Sequence, residues 1–162
     1  EKKSDLRWKI KYAPGSLSAK GYKAGQVVVE TEVETTGAPA GIKLISDRPA
    51  INADGEDLSI ITVAIADAQG RVVPAASNLV RFELNGPGRI LGVGNGDPSC
   101  HEADVYFAPG DWKRSVFNGL AQIIIQAGKA PGELKLTARS EGLTPATLSV
   151  PTQSSVQRLA VP

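Results

Sequence analysis

Glu133-Leu134-Lys135-Leu136-Thr137-Ala138 is the stretch whose reading decides the fold. Leu134, Leu136 and Ala138 fall on one side of an extended chain and Glu133, Lys135 and Thr137 on the other, the period-two pattern of a strand with one face in a core and one in water. The same reading extends outward in both directions. Thr147 to Val150 follows it, and before it stand Leu58 to Asp67 (LSIITVAIAD), Asn78 to Leu84 (NLVRFEL), Arg89 to Val93, Arg114 to Phe117 and Leu120 to Ala127. Turn chemistry separates them: Ala68-Gln69-Gly70, Asn85-Gly86-Pro87-Gly88 and Asn118-Gly119. About seven short strands at regular spacing, with alternating faces and turns between, predict an antiparallel two-sheet sandwich of the immunoglobulin-like kind over residues 39–152.

The N-terminal stretch follows a separate pattern. Arg7 to Tyr12 (RWKIKY) aligns Trp8, Ile10 and Tyr12, and Ala13-Pro14-Gly15 turns the chain. Leu17, Ala19 and Gly21 carry the alternation on, Lys23-Ala24-Gly25 turns again, and Val27 to Thr35 (VVVETEVET) reads as a third strand. Three strands close neither a sandwich nor a barrel. Residues 1–38 are therefore predicted to be a three-stranded meander, with Trp8 in a core of its own unit and TGAPA at 36–40 as the linker. The apolar face of residues 7–35 must be covered, by the sandwich, by an adjoining domain or by self-association. Residues 153–162 are predicted to be a loosely held tail.

Composition narrows the function classes. The chain has 162 residues, 17 Gly, 11 Pro and 41% hydrophobic residues, and no segment keeps a helical apolar period. A net charge of +1, from 18 basic and 17 acidic residues without blocks, offers a phosphate backbone no basic stripe, so no nucleic-acid partner is expected. No apolar run approaches the ~20 residues of a membrane helix, and no membrane partner is expected. One cysteine, Cys100, allows no internal disulfide and leaves the compartment open. A chain without methionine that opens on Glu1 reads as an excised piece of a longer polypeptide.

The candidate chemistry is sparse. Catalysis by a nucleophile and acid/base pair of carboxylates needs the two carboxyl groups about 5 Å apart on a rigid scaffold. The acids here sit in turns, Asp54, Glu56 and Asp57 in one and Asp97, Glu102 and Asp104 in another, where carboxylates ordinarily cap backbone N–H groups. No catalytic residue is assigned. Cys100 and His101 are adjacent, so their side chains leave opposite faces of an extended chain and form no nucleophile and base pair; His101 is expected at most to hold the long loop. Asn95, Gly96, Asp97 and Glu102 lack the regular ligand ladder of a calcium loop, and neither metal nor cofactor is expected. Gly94, Asn95, Gly96 and Asp97 read instead as a tight structural turn braced by Asp97. In the excursion ADVYFAPGDWKRS, Tyr106, Phe107 and Trp112 are candidate carbohydrate contacts, because sugars stack on flat rings; the alternative is that they plug the core or a domain interface. In RSVFNG, Phe117 is expected inward and Asn118 in the left-handed conformation, with no chemistry implied.

Three segments carry a resemblance: WKIKYAPGSLSAKGYKAG at 8–25, TTGAPAGIKLISDRPAINADGEDLSIITVAIADAQGRVVPAASNLVRFELNGPGRILGVGNGDP at 35–98, and RSVFNGLAQIIIQ at 114–126. They resemble the C-terminal, non-catalytic β-sandwich region of glycoside hydrolase family 2, in particular bacterial β-galactosidase-like members. The ADGEDLSIITVAIADAQGRVVP pattern by itself is also similar to immunoglobulin-like repeats of invasin-type adhesins. The glycosidase resemblance implies an accessory region of a larger enzyme whose catalytic glutamates lie in a separate (β/α)8 barrel, with residues 1–38 as the terminal strands of a preceding immunoglobulin-like accessory domain and residues 39–152 as nearly all of the next. It implies no activity for this chain alone, and as partners the catalytic and other β-sandwich domains of the same polypeptide. A carbohydrate-binding module and an adhesin repeat are the alternatives.

Overall fold

A computed structural model describes residues 7–108 and 110–155. The chain divides into two compact units between Thr36 and Gly37.

In the first unit, β1 (Ser16–Lys23) pairs antiparallel with β2 (Gln26–Glu34). Ala24 and Gly25, both at positive φ (50° and 80°), make the two-residue turn, a geometry whose twist matches that of the flanking strands. Leu17 faces Val33 and Ala19 faces Thr31 across the pair, while Val28 is bulged out where the register shifts. The other side is polar: Lys20 meets Glu30 at 2.8 Å, and the Ser16 hydroxyl bonds the Glu32 carboxylate. The expected third strand is corrected: Arg7–Tyr12 forms no strand among the described residues, because an alternating run becomes a strand only when a neighbour takes its N–H and C=O groups. Trp8, expected in a core, is corrected as well: it is 68% exposed.

The second unit is a two-sheet sandwich with no helix among the described residues. One sheet holds β3 (Gly41–Ser46), β5 (Leu58–Ala66), β9 (Leu120–Ala127) and β7 (Gly88–Gly94), in that spatial order. The other runs β4 (Ile51–Asn52), β11 (Ala146–Gln153), β10 (Gly132–Arg139), β6 (Leu79–Asn85) and β8 (Lys113–Ser115). Neighbours pair antiparallel except β4 with β11, which is parallel.

The period-two alternation sorts the side chains. Ile61, Val63 and Ile65 of β5 and Ala121, Ile123 and Ile125 of β9 face Val80 and Phe82 of β6 and Leu134, Leu136 and Ala138 of β10; all are 5% exposed or less. Burying side chains of this size stabilises by about 1.5–3 kcal/mol each, so this layer carries the fold. β11 runs to Gln153, three residues past the expected end, because Thr152 and Gln153 pair with Ile51 and Asn52. The rest of the predicted tail from Val156 lies outside the described residues.

Candidate functional site

Between β7 and β8 the chain leaves the sheets for the excursion 95–112, which contains most of the candidate site residues. Its anchor is Arg114, a residue for which the sequence suggests no chemistry. Arg114 lies on β8, 2% exposed, and enters the sandwich with the same parity as Val116. Its Nη2 donates to the Val93 carbonyl at 3.1 Å and its Nη1 to the Glu102 carbonyl at 3.2 Å. Nη1 also approaches the Cys100 sulfur at 3.1 Å, and the Asp104 carboxylate pairs with Nη2 from an exposed position. Arg114 Nε is buried without a partner. One guanidinium thus ties the edge of β7 to three points of the excursion, which five donors in a rigid fork allow and a lysine would not.

Glu102 completes the anchor. Its carboxylate accepts the Ser115 N–H at 2.8 Å and the Ser115 hydroxyl at 2.5 Å. Burial works against its ionisation, but the two Ser115 bonds and the positive Arg114 outweigh it and hold the carboxyl below the usual glutamate range.

Gly94, Asn95, Gly96 and Asp97 form the entry to the excursion. The Asn95 amide donates to the Ser115 carbonyl at 2.9 Å and its oxygen accepts the Asp97 N–H at 3.0 Å. Gly96 takes φ 73°. Asp97 accepts the Ser99 N–H and hydroxyl at 2.9 and 2.8 Å; these bonds, and then the nearby His101, lower its pKa. The carboxylates that might offer oxygens to a cation here are engaged with protein donors, and no group of three or more His, Cys, Asp or Glu able to share a metal ion occurs among the described residues. The excursion is held by Arg114, Glu102 and Asn95, and the holding part expected of His101 falls to these three.

The aromatic candidates separate. Tyr106 and Trp112 are half-buried against the core and meet edge to face, with ring centroids 5.6 Å apart and planes at 69°. The Trp112 carbonyl accepts the Phe82 N–H at 2.8 Å, which extends the pairing of β6 past β8. Burial first, and then the charge of Glu102, raises the Tyr106 hydroxyl pKa. The two rings line a groove with Phe82, Leu84 and Ile90, but their crossed planes give a sugar no coplanar platform. Phe107 is 96% exposed at its rim.

The other acid cluster caps a turn. Asp54 Oδ1 accepts the N–H groups of Glu56 and Asp57, and Asp57 accepts the N–H and the amide of Asn52 at 2.7 and 3.0 Å. Asn118 is in the left-handed region at φ 51°, as its place before Gly119 predicts. The expected inward Phe117 is corrected: Arg114 and Val116 occupy the inward positions, so Phe117 points out and is 38% exposed.

The described side chains of the site are engaged in bracing, and relatives define its context. The model described as glycoside hydrolase family 2 C-terminal domain 5 matches residues 42–149. The chain belongs to glycoside hydrolase family 2. A second model, a domain of unknown function (DUF4982), matches residues 1–29. Beta-galactosidase BoGH2A of Bacteroides ovatus is 41% identical over 145 residues, which cover 90% of this chain and 16% of that protein. A beta-glucuronidase of Formosa agariphila is 36% identical over 80 residues, 48% of this chain and 8% of that protein. A crystal structure of a family 2 member from Bacteroides cellulosilyticus superposes with a TM-score of 0.84 at 33% identity, covering 90% of this chain and 18% of that one. The chain thus spans under a fifth of each of these three proteins, and the sandwich is a C-terminal domain of glycoside hydrolase family 2.

Proposed function

We propose that this family 2 region serves a β-galactosidase as an accessory module, contributing architecture and stability to a catalytic domain that lies elsewhere in the same polypeptide. The observation that carries this reading is the 41% identity to a β-galactosidase over 90% of the chain, in a segment whose acids cap turns and brace a loop. The module acts mechanically. A sandwich with a closed apolar core, and with an excursion locked by a buried guanidinium, presents a rigid surface against which neighbouring domains are set.

The test compares the isolated chain with the full-length enzyme on a chromogenic galactoside. Turnover is expected only from the full-length protein, and its thermal inactivation is expected to be faster when the module is deleted. Turnover by the isolated chain would overturn the accessory reading. A full-length enzyme that cleaves a glucuronide and not a galactoside would overturn the assignment of the parent. Saturable galactose binding by the isolated chain, abolished by Phe107→Ala, would make the module a carbohydrate binder.

A further inference from the structure

Three cations stand in one row across the outer face of the sandwich. Val80 and Phe82 of β6, Ala138 of β10 and Arg114 of β8 are buried, so the residues beside them in each strand, Arg81, Arg139 and Lys113, point outward. The register sets these three side by side: Arg139 lies directly opposite Arg81, and Arg81 directly opposite Lys113. Directly opposite residues on one face stand about 4.5–5.5 Å apart at Cβ, and like charges so placed destabilise a sheet. This sheet carries two such pairs in succession.

The nearby acids do not neutralise the row. Among the described residues no carboxylate stands within ion-pair distance of Arg81, Arg139 or Lys113. Glu83, further along β6, accepts the Asn85 amide at 3.2 Å. Glu102 is committed to the Ser115 N–H and hydroxyl, although it lies near enough to Lys113 to feel its charge. Glu141 lines a concavity of about 440 Å³ together with both arginines, Asn78, Leu79 and Ser140. That volume is within the range of small-molecule sites.

The concavity holds the parts that recognise an acidic sugar. A guanidinium fork matches a carboxylate, and two forks lie here side by side. Leu79, 38% exposed, offers an apolar surface to the C–H face of a sugar ring, and Asn78, Ser140 and Glu141 offer donors and acceptors to its hydroxyls. A carboxylate seated between the arginines would also relieve the repulsion of the bare row. We propose that Arg81 and Arg139, with Lys113 beside them, form a binding site for carboxylated sugars of the uronic-acid class. Membership of a glycoside hydrolase family, together with the concave shape, favours a sugar over an acidic protein segment. The site shares no lining residue with the Tyr106–Trp112 groove and does not depend on which glycoside the parent enzyme cleaves.

Calorimetric titration of the 162-residue chain at low salt tests it, with oligogalacturonate as the probe and its methyl ester, the same sugar chain without the charge, as the control. The acid form is expected to bind saturably and the ester at least about tenfold more weakly. Arg81→Gln and Arg139→Gln are each expected to lower affinity for the acid form at least about tenfold, and Arg81→Lys, which keeps the charge but loses the fork, to fall between. Because Arg81→Gln removes a like charge from the row, its melting temperature is expected to be no lower than that of the parent, which separates lost binding from lost folding. No saturable binding, equal affinity for acid and ester, or affinity unchanged by Arg81→Gln would overturn the proposal. So would a lower melting temperature of Arg81→Gln, since the row would then not be under repulsion. Polyaspartate bound as tightly as oligogalacturonate would assign the row to an acidic protein segment, and sodium acetate competing at equal concentration would assign it to bare carboxylates; either result overturns the sugar site. A full-length protein without galactosidase activity would sink the functional proposal and leave this result intact.

Discussion

Arg114 is 2% exposed, yet the side chain of its counter-ion Asp104 is 76% exposed. The two ends of this ion pair therefore have very different worth. The exposed carboxylate is screened by water and contributes about 1 kcal/mol or less. The guanidinium, itself buried, satisfies the carbonyls of Val93 and Glu102. Asp104→Ala is expected to cost under about 1 kcal/mol and Arg114→Ala about 3 kcal/mol in urea unfolding followed by circular dichroism. Equal costs would show that the charge pair, and not the carbonyl contacts, holds the excursion.

Glycines at three positions should respond to alanine in a graded way. Gly86 has φ 114°, and a Cβ there would stand 2.1 Å from the Glu133 carbonyl oxygen, a clash with backbone that no rotamer change relieves. Gly86→Ala is expected to cost at least about 3 kcal/mol. Gly142 has φ 72° with no neighbour inside 4 Å, so only the left-handed backbone is penalised, at about 1 kcal/mol. Gly94 has neither a positive φ nor a neighbour within 4 Å, and Gly94→Ala should lie within about 0.5 kcal/mol of the parent. Melting temperatures of the three variants check the order.

What the sequence makes legible here is what depends on one strand at a time. Alternation in 133–138 places Leu134, Leu136 and Ala138 inward, and each is 0% exposed. Asn118 before Gly119 foretells a left-handed residue because few other side chains tolerate it. Pairing is less legible: Arg7–Tyr12 alternates like a strand, but alternation names faces and not neighbours. The two-residue β4 escapes notice because it exists only through Thr152 and Gln153 of β11. Arg114 is hidden for a different reason. An arginine in a short strand beside a turn looks like surface, and its burial is decided by Val93 and Glu102, carbonyls 21 and 12 residues away in the chain.

The inner layer offers a direct test of which residues carry the sandwich. Leu136 and Leu134 are fully buried between β6 and β11, so truncation leaves a cavity that neighbours in two rigid sheets cannot fill. Leu136→Ala is expected to lower stability by about 2–5 kcal/mol. Leu79→Ala on β6, where the side chain is 38% exposed, should cost well under half of that. Urea midpoints of the two variants decide, and similar values would mean that the apolar layer is not where the stability lies.

Asp67 links the sandwich to pH. It sits at the end of β5, itself 5% exposed, and its carboxylate accepts the N–H groups of Gly37, Gln69 and Arg71 and the Nε of Arg71 at 2.8–3.0 Å. Burial opposes its ionisation, but these donors and the Arg71 charge prevail and hold the pKa at about 2, against 3.8 for an unperturbed aspartate. A pKa depressed in the folded state means that the unfolded chain takes up the proton first. The stability from this group is therefore complete above about pH 4 and is lost as pH falls from 4 toward 2. Asp67→Asn removes the charge at every pH, so the melting-temperature gap between wild type and variant should be widest and constant above pH 5 and should shrink steadily below pH 4. A gap that stays the same down to pH 2 would show that Asp67 acts only as a neutral hydrogen-bond acceptor, and that the acid sensitivity of the sandwich arises elsewhere.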